Sequence, residues 1–172
     1  MITVLEGAPP MEAAIGALRA SLLGGLDPEA GPPRSVVPVP HGQVLLMPAH
    51  RGSYAGVKLV TVAADNPSRG LPRIQGNYLL LDGETLTPLA LLDGIALTSV
   101  RTAAVSAVAA DGLAEPDASR LVVFGTGPQG RSHIEALRCV RPIRDVVVVG
   151  RDAERTRAFA DAVGARSAAR VT

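Results

Sequence analysis

The chain has 172 residues, about the length of one ordinary domain, and 47% of them are hydrophobic, which suits a packed core and excludes a disordered chain. Its 17 basic residues nearly balance 16 acidic ones and aromatic residues make up only 2%, so neither nucleic acid nor an anionic membrane surface is an expected partner. Cys139 is the single cysteine, no Cys/His spacing suggests a metal, and no run has signal-peptide character or approaches ~20 apolar residues, so a cytoplasmic setting is expected.

The first 43 residues are rich in Gly and Pro. One short helix is predicted from Pro10 to Leu23, where Met11, Ile15, Leu18 and Leu22 recur at helical spacing. The diproline before Arg34 breaks any helix. Three strand-like runs follow, Gln43 to Pro48, Gly56 to Val62 and Asn77 to Leu81, punctuated by Gly, Pro and Asp as in an antiparallel sheet. A shorter run from Pro88 to Leu92 leads through Asp93-Gly94 into an alanine-dense helix predicted over 95–114, with Leu97, Val105 and Val108 on one stripe.

Glu115-Pro116-Asp117-Ala118 ends that helix, and the pattern then changes kind. This places a domain boundary between residues 116 and 117. Two continuous apolar runs, Leu121 to Phe124 and Val146 to Val149, alternate with helical segments Ser132 to Val140 and Ala153 to Val163. Such alternation predicts parallel strands buried from both sides, and the overall class is α/β.

Between the first apolar run and its helix stands Gly125-Thr126-Gly127-Pro128-Gln129-Gly130. A G-x-G-x-x-G pattern alone is weak, but directly after a strand and before a helix it is the phosphate-binding turn of a Rossmann-type domain. Gly125 permits the tight turn, Gly127 leaves room for a pyrophosphate, and Gly130 lets the helix pack closely on the strand. At the end of the second strand the chain reads Val149-Gly150-Arg151-Asp152. An arginine there suits the 2′-phosphate of NADP(H), the preferred cofactor, while Asp152 would serve NAD(H) if the register were one residue off.

Three cations stand in apolar settings. Lys58 alternates in phase with Val60 and Val62, Arg101 shares the stripe of Leu97, Val105 and Val108, and Arg34 follows the diproline. Each could snorkel to water or pair internally, or the group could meet a bound carboxylate. His41, His50 and His133 have no ligand-like spacing; His133, in the first turns of the helix after the glycine turn, suits a surface or supporting role. Cys139 is expected on that helix's apolar side as a small core residue.

These residues together resemble the ornithine cyclodeaminase/mu-crystallin family, which includes ketimine reductases and some alanine dehydrogenases. The matching stretches run in the family's order: Leu46-Met47-Pro48, Gly56-Val57-Lys58-Leu59-Val60, Asn66-Pro67, Gly70-Leu71-Pro72, Ile74-Gln75-Gly76, Leu92-Asp93-Gly94, Leu97-Thr98, Arg101-Thr102-Ala103-Ala104 and Gly125-Thr126-Gly127-Pro128-Gln129. The resemblance implies that Arg34, Lys58 and Arg101 hold a substrate carboxylate, and that Gln75 and Met47 line the same pocket. It implies a substrate-binding and dimerisation domain over 1–116, forming a homodimer in the intact parent, and an NAD(P)-binding domain over 117–172. The expected function is NAD(P)H-dependent reduction of cyclic imino acids of the ketimine or pyrroline-2-carboxylate type, or the reverse amino-acid dehydrogenation. Ornithine cyclodeamination is one alternative, and a non-catalytic NADPH- or small-ligand-binding protein is another. Family members are expected to be about twice as long, which would put the catalytic acid beyond Thr172 and leave about half of the nucleotide domain here, as a fragment.

Overall fold

The computed structural model describes residues 2–164 and the backbone of 170–171. In chain order the elements are β1 (Thr3–Leu5), α1 (Met11–Leu23), β2 (Ser35–Val39), β3 (Gly42–Arg51), β4 (Tyr54–Val62), a 3-10 turn (Asn66–Arg69), β5 (Ile74–Asp82), β6 (Pro88–Asp93), α2 (Gly94–Leu113), β7 (Arg120–Phe124), α3 (Pro128–Arg138), β8 (Asp145–Val149), α4 (Ala153–Gly164) and β9 (Arg170–Val171). The fold is mixed α/β, with a six-stranded and a three-stranded sheet. Compactness divides the chain within α2, after Thr98: one unit comprises 1–8 and 26–98, the other 9–25 and 99–172. The change of sequence pattern at 116/117 marks something different, the onset of strand and helix alternation.

The first unit is the six-stranded sheet, ordered β1-β6-β5-β4-β3-β2. From β2 to β6 every neighbouring pair is antiparallel, and β1 joins β6 in parallel. The alternating runs read from the sequence are β3, β4 and β5, each extended by a few residues. Strands β1 and β2 were not expected. All their residues are exposed, so they carry no pattern of alternate burial. Asp93 Oδ1 accepts the backbone N–H groups of Ile95 and Ala96, at 2.8 and 3.0 Å, and so caps α2 where the sequence suggested only a connection.

In the second unit the remainder of α2 packs with α1 and α3. The core there consists of Met11, Ile15, Ala103, Ala104, Ala107 and Ala136. This corrects the expected stripe of α2: Val105 is 49% exposed and Arg101 is exposed, while the alanines form the buried side. In a helix this rich in alanine the residues that allow closest approach, not the largest, face the neighbouring helices.

Strands β7, β8 and β9 are parallel and in that order. Val123, Val146 and Val148 point to the face covered by Ile134 of α3 and by Phe159 and Val163 of α4. Among the described residues the other face is open, Val122 being 48% and Phe124 80% exposed, in a chain that spans only part of its domain's expected length. Cys139 is corrected too. It is exposed at the C-terminal cap of α3, with Sγ donating to the Glu135 carbonyl at 3.3 Å.

The same unit is tied by charge-assisted bonds. Arg141 reaches the C-terminal end of α2, donating to the carbonyls of Ala110, Asp111 and Ala114 and to Asp111 Oδ1 at 2.6 Å. Asp111 also pairs with Arg19 of α1. Helix carbonyls left over at a C-terminus are thereby satisfied by one guanidinium fork.

Candidate functional site

The glycine turn forms one wall of a cleft of about 720 Å³, a size that suits a cofactor. Phe124, Gly125, Thr126 and Gly127 line one side; Val149, Gly150, Arg151, Asp152 and Arg155 line the other. The two sides are fastened by a 2.8 Å hydrogen bond from Gly125 N–H to the Val149 carbonyl. Gly125 has a φ of 106°, a conformation that L side chains rarely adopt.

Around Gly127 a Cβ would meet only open space, which is the room that a pyrophosphate requires. Gly130 is different. A Cβ there would lie 3.2 Å from the Gly125 carbonyl oxygen and 3.4 Å from Phe159 and Val123, so the helix packs tightly on its strand. Pro128 opens α3 with Gly127 as its N-cap, and Gln129 follows in the first turn. Proline at this place gives up an N–H that the helix could not have used, and the remaining first-turn N–H groups favour an anion. The residues present therefore fit a dinucleotide.

Asp152 caps α4. Its Oδ1 accepts the Arg155 N–H at 2.9 Å, and its carbonyl accepts the Thr156 N–H and hydroxyl at 3.0 and 2.6 Å. One oxygen of the carboxylate thus serves its own helix, and Arg151 and Asp152 are both exposed at the cleft.

His133 links helices of this unit. Nδ1 lies 2.7 Å from the Gln129 carbonyl and Nε2 lies 3.1 Å from Ser106 Oγ on α2. The carbonyl can only accept, which makes Nδ1 the donor and, in the neutral ring, leaves Nε2 to accept from the serine.

In the sheet unit a second group of candidates is brought into register. Met47 stands opposite Lys58, Lys58 opposite Tyr78, and Tyr78 opposite Leu92. Paired residues share a face, so these four form a row across β3, β4, β5 and β6. The β2 register ends with Ser35 opposite Leu46, and Arg34 immediately precedes the strand, outside the pairing. Gln75 is not brought into the row: it pairs with Thr61, on the other face from Lys58.

Lys58 is only 8% exposed. Its Nζ donates to Thr98 Oγ1 at 3.2 Å, and the Thr98 hydroxyl donates in turn to the Gly94 carbonyl at 2.6 Å. Tyr78 lies over Gly56, where a Cβ would overlap its phenol, and burial raises the phenol above its ordinary pKa.

The ornithine cyclodeaminase/mu-crystallin family model matches residues 5–171. The chain belongs to that family. It is 40% identical over 133 residues to a Delta(1)-pyrroline-2-carboxylate reductase of Bacillus cereus, covering 75% of this chain and 41% of the relative. Among solved structures it is similar to an archaeal alanine dehydrogenase dimer with bound NAD, with a TM-score of 0.87 and 29% identity over 98% of this chain and 55% of that one. It is equally similar to the Thermococcus litoralis Delta(1)-pyrroline-2-carboxylate reductase in complex with NADH and L-proline, with a TM-score of 0.87, 27% identity and the same coverage. The chain therefore spans about two fifths of the curated relative's length and just over half of the solved chains.

Within this family frame, three residues of the two sites escape a reading of the sequence alone. Thr98 stands in a stretch that matches the family, but its contact with Lys58 does not follow from the sequence, although its spacing of four from Gly94 permits its hydroxyl bond. Tyr78 becomes a neighbour of Lys58 only through strand register. Arg155, three residues after Asp152, enters the cleft because α4 starts where it does. The catalytic acid expected beyond Thr172 lies outside the described residues.

Proposed function

We propose that this chain carries the dinucleotide cradle and much of the carboxylate-binding surface of an NADP(H)-dependent reductase of cyclic imino acids, or of the reverse amino-acid dehydrogenase. Residues 1–116 form the substrate-binding and dimerisation domain and 117–172 the dinucleotide-binding portion, in a cytoplasmic homodimer. The observation that carries this reading is the pairing of Met47 with Lys58, whose ammonium is buried against the sheet beside a hydroxyl, with Arg34 just before the neighbouring β2. A cation in that setting suits a small anion that arrives largely stripped of water.

In this reading Arg34 and Lys58 bind the substrate carboxylate and Met47 gives the apolar contact. Arg101 binds the same class of anion, on the family pattern alone, whereas Gln75, on the other sheet face, is left out of the carboxylate site. Gly125, Thr126, Gly127, Pro128, Gln129 and Gly130 receive the pyrophosphate, and Arg151 receives the 2′-phosphate. When bound, the reduced nicotinamide supplies hydride to the imine carbon. The cations supply neither hydride nor proton; they bind and orient, and orientation alone accounts for large rate factors.

The test is an assay of the whole protein with NADPH and pyrroline-2-carboxylate, following L-proline, and in parallel with ornithine. NADPH-dependent formation of proline from the imino acid is the expected result. Release of ammonia from ornithine without added reductant would replace this reading with cyclodeamination. Cofactor binding without turnover of either substrate would replace it with a binding protein.

A further inference from the structure

The ribose end of the dinucleotide cleft holds two arginines, and only Arg151 has been given a task. Arg155 lines the same cleft from the first turn of α4 and is exposed there. We propose that Arg155 is a second specificity-determining residue, whose guanidinium joins that of Arg151 on the 2′-phosphate of NADP(H). This rests on the NADP(H) reading of the cleft and assigns to it a residue that the glycine pattern and the strand-end position do not single out.

Three observations point the same way. The backbone N–H of Arg155 is held by Asp152 Oδ1 at 2.9 Å, which fixes the place where its side chain leaves the helix. That bond also engages one oxygen of the nearby Asp152 carboxylate as a helix cap, so that this oxygen competes with any ribose hydroxyl that an NAD-type acidic residue would grip. Finally, a cation in the first turn of a helix has the wrong sign for the helix dipole, where Asp or Glu is favoured. A bound dianion would reverse that penalty, and two planar guanidinium forks offer it more donors than one.

Gly150 presses the loop that carries Arg151 against the first turn of α4, from which Arg155 extends. A Cβ there would overlap the Thr156 hydroxyl and come within 3.2 Å of Thr126, so the loop is pressed between the glycine turn and α4. Arg151 and Arg155 thus extend from a clamped segment, so less conformational freedom is lost on binding.

The experiment is calorimetric titration of the full chain with NADPH and with NADH, for wild type, Arg155→Met, Arg155→Lys and Arg151→Met, each checked for an unchanged melting temperature. Displacement by 2′,5′-ADP reports the 2′-phosphate site alone. Arg155→Met is expected to weaken NADPH and 2′,5′-ADP by about tenfold or more and to leave NADH within about twofold, with Arg155→Lys in between. Equal losses for NADPH and NADH, or no loss in Arg155→Met while Arg151→Met is impaired for NADPH alone, would overturn the role of Arg155 and leave the NADP(H) reading standing. A wild type that binds NADH as tightly as NADPH, with Arg151→Met indifferent to the 2′-phosphate, would overturn that reading itself.

Discussion

Lys58 and Thr98 are joined by a hydrogen bond of fixed direction: Nζ donates to Oγ1 at 3.2 Å because the hydroxyl proton is committed to the Gly94 carbonyl at 2.6 Å. The threonine thus presents lone pairs, not a proton, to a buried ammonium. Thr98→Val keeps the shape and removes that acceptor, and should cost about 1–2 kcal/mol of stability. Lys58→Met removes the charge, and imino-acid or L-proline affinity should fall by about tenfold or more. Urea melts and product-binding titrations of the two variants separate these effects. A Lys58→Met variant that binds L-proline normally would end the carboxylate-binding role.

Arg141 is 9% exposed at its side chain and serves three carbonyls at the end of α2 as well as Asp111. Replacing it with methionine should destabilise the second unit by about 2–4 kcal/mol, since buried carbonyls and a carboxylate lose their donor together. Arg19, which meets the same Asp111 but is 44% exposed, should matter far less, with Arg19→Met costing below about 1 kcal/mol. Chemical denaturation distinguishes the two, and equal losses would contradict the capping argument.

Much of the fold is legible in the sequence because its elements obey a period. Strands β3, β4 and β5 alternate, and the glycine turn declares itself by standing between an apolar run and a helix. What is not legible has physical causes. In α2 almost every residue is apolar or small, so hydrophobic spacing cannot tell the Ala103, Ala104 and Ala107 side from that of Val105. Strand β2 is exposed throughout, and Gln75 and Lys58 lie within stretches that both match the family but whose opposite facing emerges only from register. The Lys58 site depends on that register, whereas the cofactor cleft depends on local turns; the sequence therefore reveals more of the second than of the first.

Cys139 is exposed, yet its thiol is held above the ordinary value, first by partial desolvation and then by the carboxylates of Glu12 and Glu135. Since the thiolate is the reactive form, alkylation by iodoacetamide near pH 8 should be slower than for an unstructured cysteine peptide. Glu12→Gln removes one of the opposing charges, lowers the thiol pKa and should speed the reaction severalfold, shifting the rate–pH curve toward lower pH. An unchanged curve in that variant would show the carboxylate to be without influence on the thiol.

Gly150 gives the sharpest steric test of the cofactor cleft. It sits where the loop after β8 touches both Thr126 of the glycine turn and Thr156 of α4. Gly150→Ala introduces a methyl group onto the Thr156 hydroxyl, so one of the two must move by more than ordinary packing allows. Because the displaced loop is shared by every dinucleotide, NADPH and NADH affinities should fall together, by about tenfold. This distinguishes it from Arg155→Met, which acts through one phosphate. The strain has a defined remedy: Thr156→Ala deletes the hydroxyl, and its own Cβ would stand 3.3 Å from the added methyl group, a tight contact that small shifts relieve. The double variant Gly150→Ala/Thr156→Ala should therefore bind both cofactors better than Gly150→Ala alone, although Thr156→Ala by itself removes a 2.6 Å bond to the Asp152 carbonyl and is mildly harmful. Titrating the three variants and wild type closes a double-mutant cycle. A coupling energy near zero would mean that the loop is not clamped at Gly150.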